Sequence, residues 1–165
     1  MTSWTRIDLG LAVVVALLAM WLAWPTGEVA RAPTLTALAA QAVSSIRIEH
    51  ADRLEMAFSR DADAWAMTYP HAAAADPRRV GQLLAIAAAP VLQQLDAADE
   101  PGRYGLDRPS AVVQFDAVRI EFGDRDPSQQ ARYVRVDQDI AAIDELYFNL
   151  AMLPATHFRA ATATP

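Results

Sequence analysis

The strongest constraint on this chain is an uninterrupted apolar run near its N-terminus, from Leu9 to Trp24. At a helical rise of 1.5 Å per residue the run alone is about 24 Å long, shorter than a bilayer core of about 30 Å, but counting from Trp4 gives about 32 Å. Trp4 at one end and Trp21 and Trp24 at the other lie where indole rings favour the headgroup boundary. The run therefore predicts a transmembrane anchor within residues 1–24.

A cleaved signal peptide is the alternative interpretation of this run. A small-x-small cleavage site is present at Ala30-Arg31-Ala32. The apolar part of a signal peptide is usually about 7–15 residues long, and the run is slightly longer. Pro33, directly after the site, is a poor start for a mature chain. We therefore expect an anchor that stays uncleaved.

The orientation of the anchor depends on few charges. The short N-terminal side carries two positive charges, Arg6 and the terminal amine, and one negative charge, Asp8. The far side carries Glu28 and Arg31. The excess of positive charge on the N-terminal side is therefore only about one charge. A large domain behind an N-terminal apolar segment is most simply exported. We expect a single-pass protein of the bacterial inner membrane, with residues 25–34 as a linker to a periplasmic domain.

Composition excludes several classes of function. The formal net charge is −6, and all 14 basic residues are arginine. An acidic domain with scattered arginines lacks the basic patch that nucleic-acid binding requires. The chain has no cysteine, which excludes disulfides, thiol catalysis and cysteine-ligated zinc.

Alternating apolar residues predict strands in the first half of the domain, with a turn at residues 50–53. Asp76 followed by Pro77 predicts a helix start, because aspartate caps a helix and proline suits its first position. An apolar stripe at i, i+3, i+4 and i+7 begins at Val80. The strand residues predicted to face the core are Ile46, Ile48, Leu54, Met56, Phe58, Trp65 and Met67.

The second half of the domain has a similar pattern. Two strands are predicted around a turn at residues 116–117, followed by short strands at 133–136 and 140–143. Asp144 is predicted to cap a final helix. Residues 91–95 fit either a resumed helix or a strand.

These patterns predict an α+β fold. An N-terminal transmembrane helix would precede one small domain over residues 35–153, an antiparallel or mixed sheet with helices, and a C-terminal tail over residues 154–165. Because both halves show a hairpin, a further strand and a helix, a diverged internal duplication is a further hypothesis.

A turn motif, Tyr104-Gly105-Leu106-Asp107-x-Pro109, stands between the two halves. With its surroundings it resembles a bacterial family, domain of unknown function 4340, over nearly the whole predicted domain. The other agreeing features, in order, are Leu35-Thr36-x-Leu38 before Ile46-Arg47-Ile48, Trp65 followed by Pro70, the Asp-Pro helix start, Phe122-Gly123, and Arg132-Tyr133-Val134-Arg135.

The resemblance implies a membrane-anchored protein, since members of that family are typically anchored. It also implies an association with auxiliary subunits of gliding-motility-type ABC transporters, because members are often encoded beside them or fused to them. No catalytic residues are established for the family, so none are transferred to this chain. Longer members contain further copies of such a unit, whereas this chain contains one.

The turn motif itself has two interpretations. Gly105 can adopt a positive φ without steric cost, and Pro109 forces Arg108 into an extended conformation. On this account Tyr104 is a packed anchor, which we favour because turn chemistry explains each residue. The alternative is that the motif forms a ligand-binding loop.

His50 and Asp52 could form a base and its orienting carboxylate, with Ser44 or Ser45 as the nucleophile. A turn accounts for His50 and Asp52 without a catalytic role, and the chain has no Gly-x-Ser-x-Gly nucleophile elbow. We therefore predict a protein that is not an enzyme, with no catalytic and no cofactor-binding residues.

Four aspartates could supply oxygen ligands to calcium: Asp124, Asp126, Asp137 and Asp139. They lack the ordered spacing and the closing glutamate of an EF-hand. Solvated acidic turns are the favoured interpretation, and no metal site is predicted.

Four residues are candidate partner contacts. Arg78 and Arg79 lie in the first turn of a predicted helix, where cations oppose the helix dipole, so a lipid phosphate or an acidic partner is an alternative to simple solvation. On the final helix, Phe148 and Met152 lie opposite the arc expected to face the sheet, and we predict that they contact the transporter, a second copy or the membrane surface. Cover by the C-terminal tail through Phe158 is the alternative. The inward arc comprises Ile143, Leu146, Tyr147, Leu150 and Leu153.

Two functions follow from these observations. The leading hypothesis is a non-enzymatic, membrane-anchored periplasmic accessory or scaffold module of an ABC-type transport complex, with a protein partner in that complex. The alternative is a membrane-tethered periplasmic domain that binds a small molecule or a glycan. The alternative predicts a deep pocket lined by Tyr104 and other aromatic residues.

Overall fold

The computed structural model describes residues 33–62, 64–95, 101–127 and 130–161. The strands are β1 (Ser45–His50), β2 (Arg53–Asp61), β3 (Ala64–Tyr69), β4 (Ala73–Ala74), β5 (Gln93–Leu95), β6 (Ala111–Phe115), β7 (Val118–Asp126), β8 (Ala131–Val136) and β9 (Asp139–Asp144). The α-helices are α1 (Pro77–Leu84) and α2 (Glu145–Ala151), and short 3₁₀ turns lie at Ala40–Ala42, Pro101–Tyr104 and Ala155–Phe158.

These strands form one nine-stranded sheet in the order β4-β3-β2-β1-β6-β7-β8-β9-β5. Every neighbouring pair is antiparallel. Tight turns join most consecutive strands, and such turns can only make antiparallel pairs, because a parallel pair needs a long crossover. The connectivity therefore follows from the short spacing of the alternating segments.

The expected α+β fold is wrong, although its sheet, expected to be antiparallel or mixed, is antiparallel. The described chain is mostly one antiparallel sheet, and its two α-helices have only 8 and 7 residues. The unit of a hairpin, a strand and a helix is also wrong, since four strands precede α1 and five strands lie between α1 and α2. The error arises at β4 and β5, which have two and three residues and are too short for alternation to reveal.

In the part of the chain that the structure describes, no helix is long and apolar enough to cross a bilayer. The predicted anchor in residues 1–24 lies outside the described residues, as does the linker up to residue 32. The anchor therefore stays a prediction from the sequence.

Both helix starts are confirmed. The Asp76 side chain accepts hydrogen bonds from the backbone N–H of Arg78 at 2.9 Å and of Arg79 at 3.4 Å. The Asp144 side chain accepts one from Leu146 N–H at 2.8 Å. Each carboxylate satisfies helix N–H groups that have no partner within the helix.

The main core lies on one face of the sheet, under α1, α2 and the Ala155–Phe158 turn. A smaller cluster lies on the opposite face, since Tyr133 and Ile140 alternate with core residues along β8 and β9. Tyr104, Leu106 and Ile140 are buried there, with Leu95 and Tyr133 packed against them.

The C-terminal segment closes the β4 side of the sheet. The Phe158 ring is fully buried and meets the Phe58 ring edge-on at 5.7 Å between centroids. Asp76 N–H donates to Phe158 O at 2.8 Å, and Ala160 N–H donates to Ala74 O at 2.9 Å. Residues 155–160 are therefore packed and hydrogen-bonded as part of the folded domain.

The predicted inner face of α2 is wrong at two positions. Leu146 is 58% exposed, whereas Phe148 is half-buried with its ring centroid 5.8 Å from that of Phe122. Two residues used to place the predicted arc are not helical, because Ile143 belongs to β9 and Leu153 follows the helix end.

Candidate functional site

The Tyr104 turn, residues 101–109, covers part of the sheet face opposite the main core. Tyr104 is 9% exposed, and its ring centroid lies 4.7 Å from that of Tyr133. Leu106 is fully buried, and its carbonyl accepts a hydrogen bond from Arg135 Nη2 at 3.2 Å. The turn motif thus packs onto Tyr133 and Arg135, which belong to the Arg132-Tyr133-Val134-Arg135 segment of the family resemblance.

Two glycines allow this close approach. Gly105 has a φ of +69°, which confirms its predicted positive φ, and a Cβ there would lie 2.4 Å from Asp124 Cγ. A Cβ on Gly123 would lie 2.1 Å from Tyr104 O. Since these contacts are tighter than van der Waals packing allows, the turn can pack this closely only with glycine at both positions.

The buried Asp126 and the half-buried Tyr133 form a polar pair under the Tyr104 turn. Burial raises the pKa of Tyr133, and the nearby charge of Asp126 and its hydrogen bond raise it further. The phenol therefore stays protonated and donates to the Asp126 carboxylate, which is itself buried. This pair stabilises the packing of the turn, because a buried carboxylate is costly without a donor.

Arg132 links β8 to α2. Its Nε and Nη2 donate to the two carboxylate oxygens of Glu145 at 2.9 Å and 2.8 Å, and its Nη1 donates to Gly123 O at 2.7 Å. Its guanidinium carbon lies 3.6 Å from the centroid of the Phe148 ring. This planar, bidentate arrangement suits arginine and not lysine.

Glu121 is the centre of a charged cluster on the same face as the Tyr104 turn. Arg119 Nε donates to it at 3.0 Å and Arg135 Nε at 2.7 Å. Burial alone raises the pKa of Glu121, but the hydrogen bonds from Arg119 and Arg135 outweigh it, so the pKa lies below its usual value. Arg119 also lies 3.8 Å from Glu49.

The structure does not bring the candidate catalytic residues together. His50 Nε2 lies 3.1 Å from Ala151 O at one end of β1. Ser44 and Ser45, at the other end, each place a hydroxyl 2.8 Å from Asp116 Oδ1. Burial alone would raise the pKa of Asp116, but the hydrogen bonds from the two serines lower it. The serines therefore fasten the start of β1 to the turn between β6 and β7.

Within the described residues, no group of three or more His, Asp or Glu side chains could hold a metal ion. The four aspartates considered for calcium are separated. Asp126 pairs with Tyr133, and Asp124 lies against Gly105. Asp137 and Asp139 are exposed at the turn between β8 and β9.

The candidate partner contacts differ in exposure. Arg79 donates from Nη1 to His157 O, and its Nε lies 3.5 Å from Asp76, so it is engaged within the fold. Arg78 is exposed, and Met152 is 43% exposed. Phe148 lies under Arg132 and is largely committed to the core.

An open cleft of about 540 Å³ lies between residues 33–38 and the ends of four strands; we name it the Val136 cleft. Its outer wall is held in place by residues 87–91. Val91 N–H donates to Pro33 O at 2.8 Å, Leu35 N–H to Ala89 O at 2.8 Å, and Thr36 N–H to Ala87 O at 3.0 Å. The wall is therefore a segment paired to residues 87–91, which follow α1.

The Val136 cleft combines an apolar floor with a polar rim. The residues that line it are Pro33, Thr34, Leu35, Thr36, Ala37, Leu38, Val91, Gln94, Val118, Val136, Asp137, Asp139 and Ala141. A pocket near Tyr104 was predicted only by the alternative, ligand-binding hypothesis, and no sequence pattern predicted the Val136 cleft. Its lining residues are brought together from widely separated parts of the chain, and no local motif marks them.

Comparison with known proteins identifies one family. No curated protein and no solved structure gives a significant match to the chain. The sequence model of the family described as "Domain of unknown function (DUF4340)" matches residues 65–163, which is more than half of the 165 residues. The match includes the Tyr104 turn and the Arg132–Arg135 strand that packs under it. The chain therefore belongs to the DUF4340 family of domains.

Proposed function

We propose that this protein is a non-enzymatic, membrane-anchored periplasmic accessory or scaffold module of an ABC-type transport complex. The anchor is supported by the apolar run from Leu9 to Trp24. The association with a transporter is supported only by the resemblance to the DUF4340 family, whose members are often encoded beside auxiliary subunits of such transporters. The observation that carries a binding role is the Val136 cleft.

The position of the Val136 cleft along the chain favours a tethered binding module. Pro33 and Thr34, which line its outer wall, lie at the end of the predicted linker, residues 25–34. A partner in the cleft would therefore contact residues at the end of the predicted linker. Clefts with an apolar floor and a few polar groups are the usual form of binding sites.

The contacts of the titratable groups support binding rather than catalysis. Asp116 is held by two serines, His50 Nε2 lies within hydrogen-bonding distance of Ala151 O, and Asp126 is paired with Tyr133. Each of these groups has a partner that stabilises the fold. A general base or a nucleophile would instead point toward a space where substrate could lie.

A small-molecule or glycan-binding domain is the second candidate, since about 540 Å³ lies within the range of about 300–1,000 Å³ typical of ligand pockets. The aromatic residue that this hypothesis relied on is elsewhere. Tyr104 is buried against Tyr133 on the other face of the sheet. No aromatic side chain lines the cleft in the described chain, which makes a stacking platform for sugar rings the weaker proposal.

Membrane attachment is tested first. The full-length protein should pellet with inner membranes and keep its N-terminus, because the segment from Trp4 to Trp24 is long enough to span. A variant lacking residues 1–24 should remain in the supernatant. N-terminal sequencing that finds a mature chain starting at Pro33 would exclude the anchor.

The transport role is tested by crosslinking in intact membranes, followed by affinity purification of the full-length protein. The proposal expects the ATPase or permease subunits of an ABC transporter among the crosslinked products. The same treatment of the variant lacking residues 1–24 should lose them. Repeated recovery of the protein without any transporter subunit would contradict the role.

A further inference from the structure

We propose that the Val136 cleft binds an extended segment of a protein partner through an arginine or lysine side chain flanked by aliphatic residues. The inference rests on the proposed function and adds the chemistry of the partner to it. It depends on three properties of the cleft: the charge of its rim, the nature of its floor and the form of its outer wall.

The charge of the rim selects a cation. Asp137 and Asp139 line the cleft and are both exposed. Within the described part of the chain neither carboxylate has an ion-pair partner, whereas Glu121 and Glu145 are paired with arginines. The net charge of the whole chain is −6. A basic group approaching the rim is attracted by both the local and the overall charge.

The floor of the cleft selects a cation with an apolar stem. Val118, Val136 and Ala141 present aliphatic surface from three neighbouring strands. Arginine and lysine bury their methylene chains on such surface while the charged head stays at a polar rim. A small inorganic cation would leave this floor uncovered, so the lining favours a basic side chain.

The form of the cleft selects a peptide. At about 540 Å³ it is larger than one side chain fills, so neighbouring residues of the same segment enter with the basic one. Leu35 and Leu38 line the outer wall and offer contacts for aliphatic neighbours. Ala37, on the same wall, is exposed and leaves the mouth open.

The experiment uses the full-length protein in detergent micelles and a phage-displayed library of random nonapeptides. Selected peptides are synthesised, and their Kd values are measured by fluorescence polarisation. The inference expects arginine or lysine next to aliphatic residues in the selected sequences. Selection of peptides without basic residues, or no enrichment at all, would overturn it.

Two pairs of variants locate the binding site. The double substitution Asp137→Asn with Asp139→Asn should raise Kd by about tenfold or more, since it removes both rim charges. Asp52→Asn is the matched control for Asp137: both are exposed hairpin aspartates with positive φ, 65° and 53°, where asparagine is tolerated. An equal effect of Asp52→Asn, or no effect of the double substitution, would contradict the rim contact.

Ala37→Trp tests the cleft without changing charge. Tryptophan at this exposed wall position should block the mouth and abolish binding, whereas Ala66→Trp, at an exposed position of β3, should leave Kd unchanged. Peptides that still bind the Ala37→Trp protein would overturn the assignment of the site. The transporter crosslinks are a separate measurement: peptide binding without them refutes only the transport role, and crosslinks without peptide binding refute only this inference.

Discussion

Gly105 and Gly123 hold the Tyr104 turn against the sheet because neither has a side chain. The sequence was sufficient to predict the positive φ of Gly105, since a short turn before proline favours it. It could not predict the role of Gly123, whose neighbour Tyr104 O is contributed by a distant part of the chain. Alanine substitutions at the two positions therefore measure separately the cost of a side chain at the positive φ of Gly105 and the cost of a contact between residue 123 and Tyr104 O.

We expect Gly105→Ala to lower the free energy of unfolding by about 1 kcal/mol or more, because of its positive φ. Gly123→Ala should cost more, about 2–3 kcal/mol, because the new Cβ meets backbone and not a flexible side chain. Gly81→Ala is the control: nothing lies within 4 Å of its Cβ position in α1, so it should stabilise by about 0.5–1 kcal/mol. Urea denaturation measures all three, and an unchanged Gly123→Ala midpoint would refute the contact.

The lowered pKa values of Asp116 and Glu121 predict a loss of stability in acid. Each folded pKa lies below the ordinary value, 3.8 for Asp116 and 4.5 for Glu121. Their contribution is therefore complete above those values and is lost as the pH falls through the lower folded pKa. As the pH drops below about 4.5, the urea concentration at the unfolding midpoint should decrease. This decrease should be smaller in the Glu121→Gln variant. An identical pH slope in the variant would contradict the argument.

At the scale of elements, period-two alternation was sufficient to place the seven longer strands, and the Asp-Pro and Asp144 caps were sufficient to place both helix starts. The face of α2 could not be predicted, because it depends on Arg132. This arginine covers the Phe148 ring and pairs with Glu145, and so determines which side of a seven-residue helix meets the sheet.

Arg132→Met should lower the free energy of unfolding by about 2–3 kcal/mol, since it leaves Glu145 and Gly123 O without their donor. A double-mutant cycle with Glu145→Gln should give a coupling of about 1–2 kcal/mol. Arg47→Met is the control: its side chain is 52% exposed and 3.9 Å from Glu49, so it should cost less than about 0.5 kcal/mol. Equal losses for Arg132→Met and Arg47→Met would show that the link to α2 is unimportant.

At the scale of the whole molecule, the two sides of the sheet end differently. The C-terminal segment pairs along the β4 side, where Ala160 N–H reaches Ala74 O and Phe158 fills the core beside Phe58. The opposite edge strand of the sheet, β5, is only three residues long. Short or covered edge strands limit edge-to-edge association of sheets.

Phe158→Ala should destabilise the protein by about 3–5 kcal/mol, the range for a fully buried phenylalanine. Removing residues 155–165 should also uncover the β4 edge and promote aggregation, which size-exclusion chromatography detects. Leu146→Ala is the control, because its exposed side chain should change stability by less than about 0.5 kcal/mol. A truncated chain that stays monomeric and equally stable would show that the tail is dispensable.

The sequence by itself determined the local features of this protein: the apolar run, the alternating strands, the helix caps, the Tyr104 turn and the family. Each of these depends on residues that are close together in the chain. Only the tertiary structure decided that the sheet is wholly antiparallel, that Phe148 is covered and that Ser44 and His50 lie apart. It also formed the Val136 cleft, because strand order and the pairing of residues 33–36 with 87–91 are long-range contacts that leave no pattern in neighbouring residues.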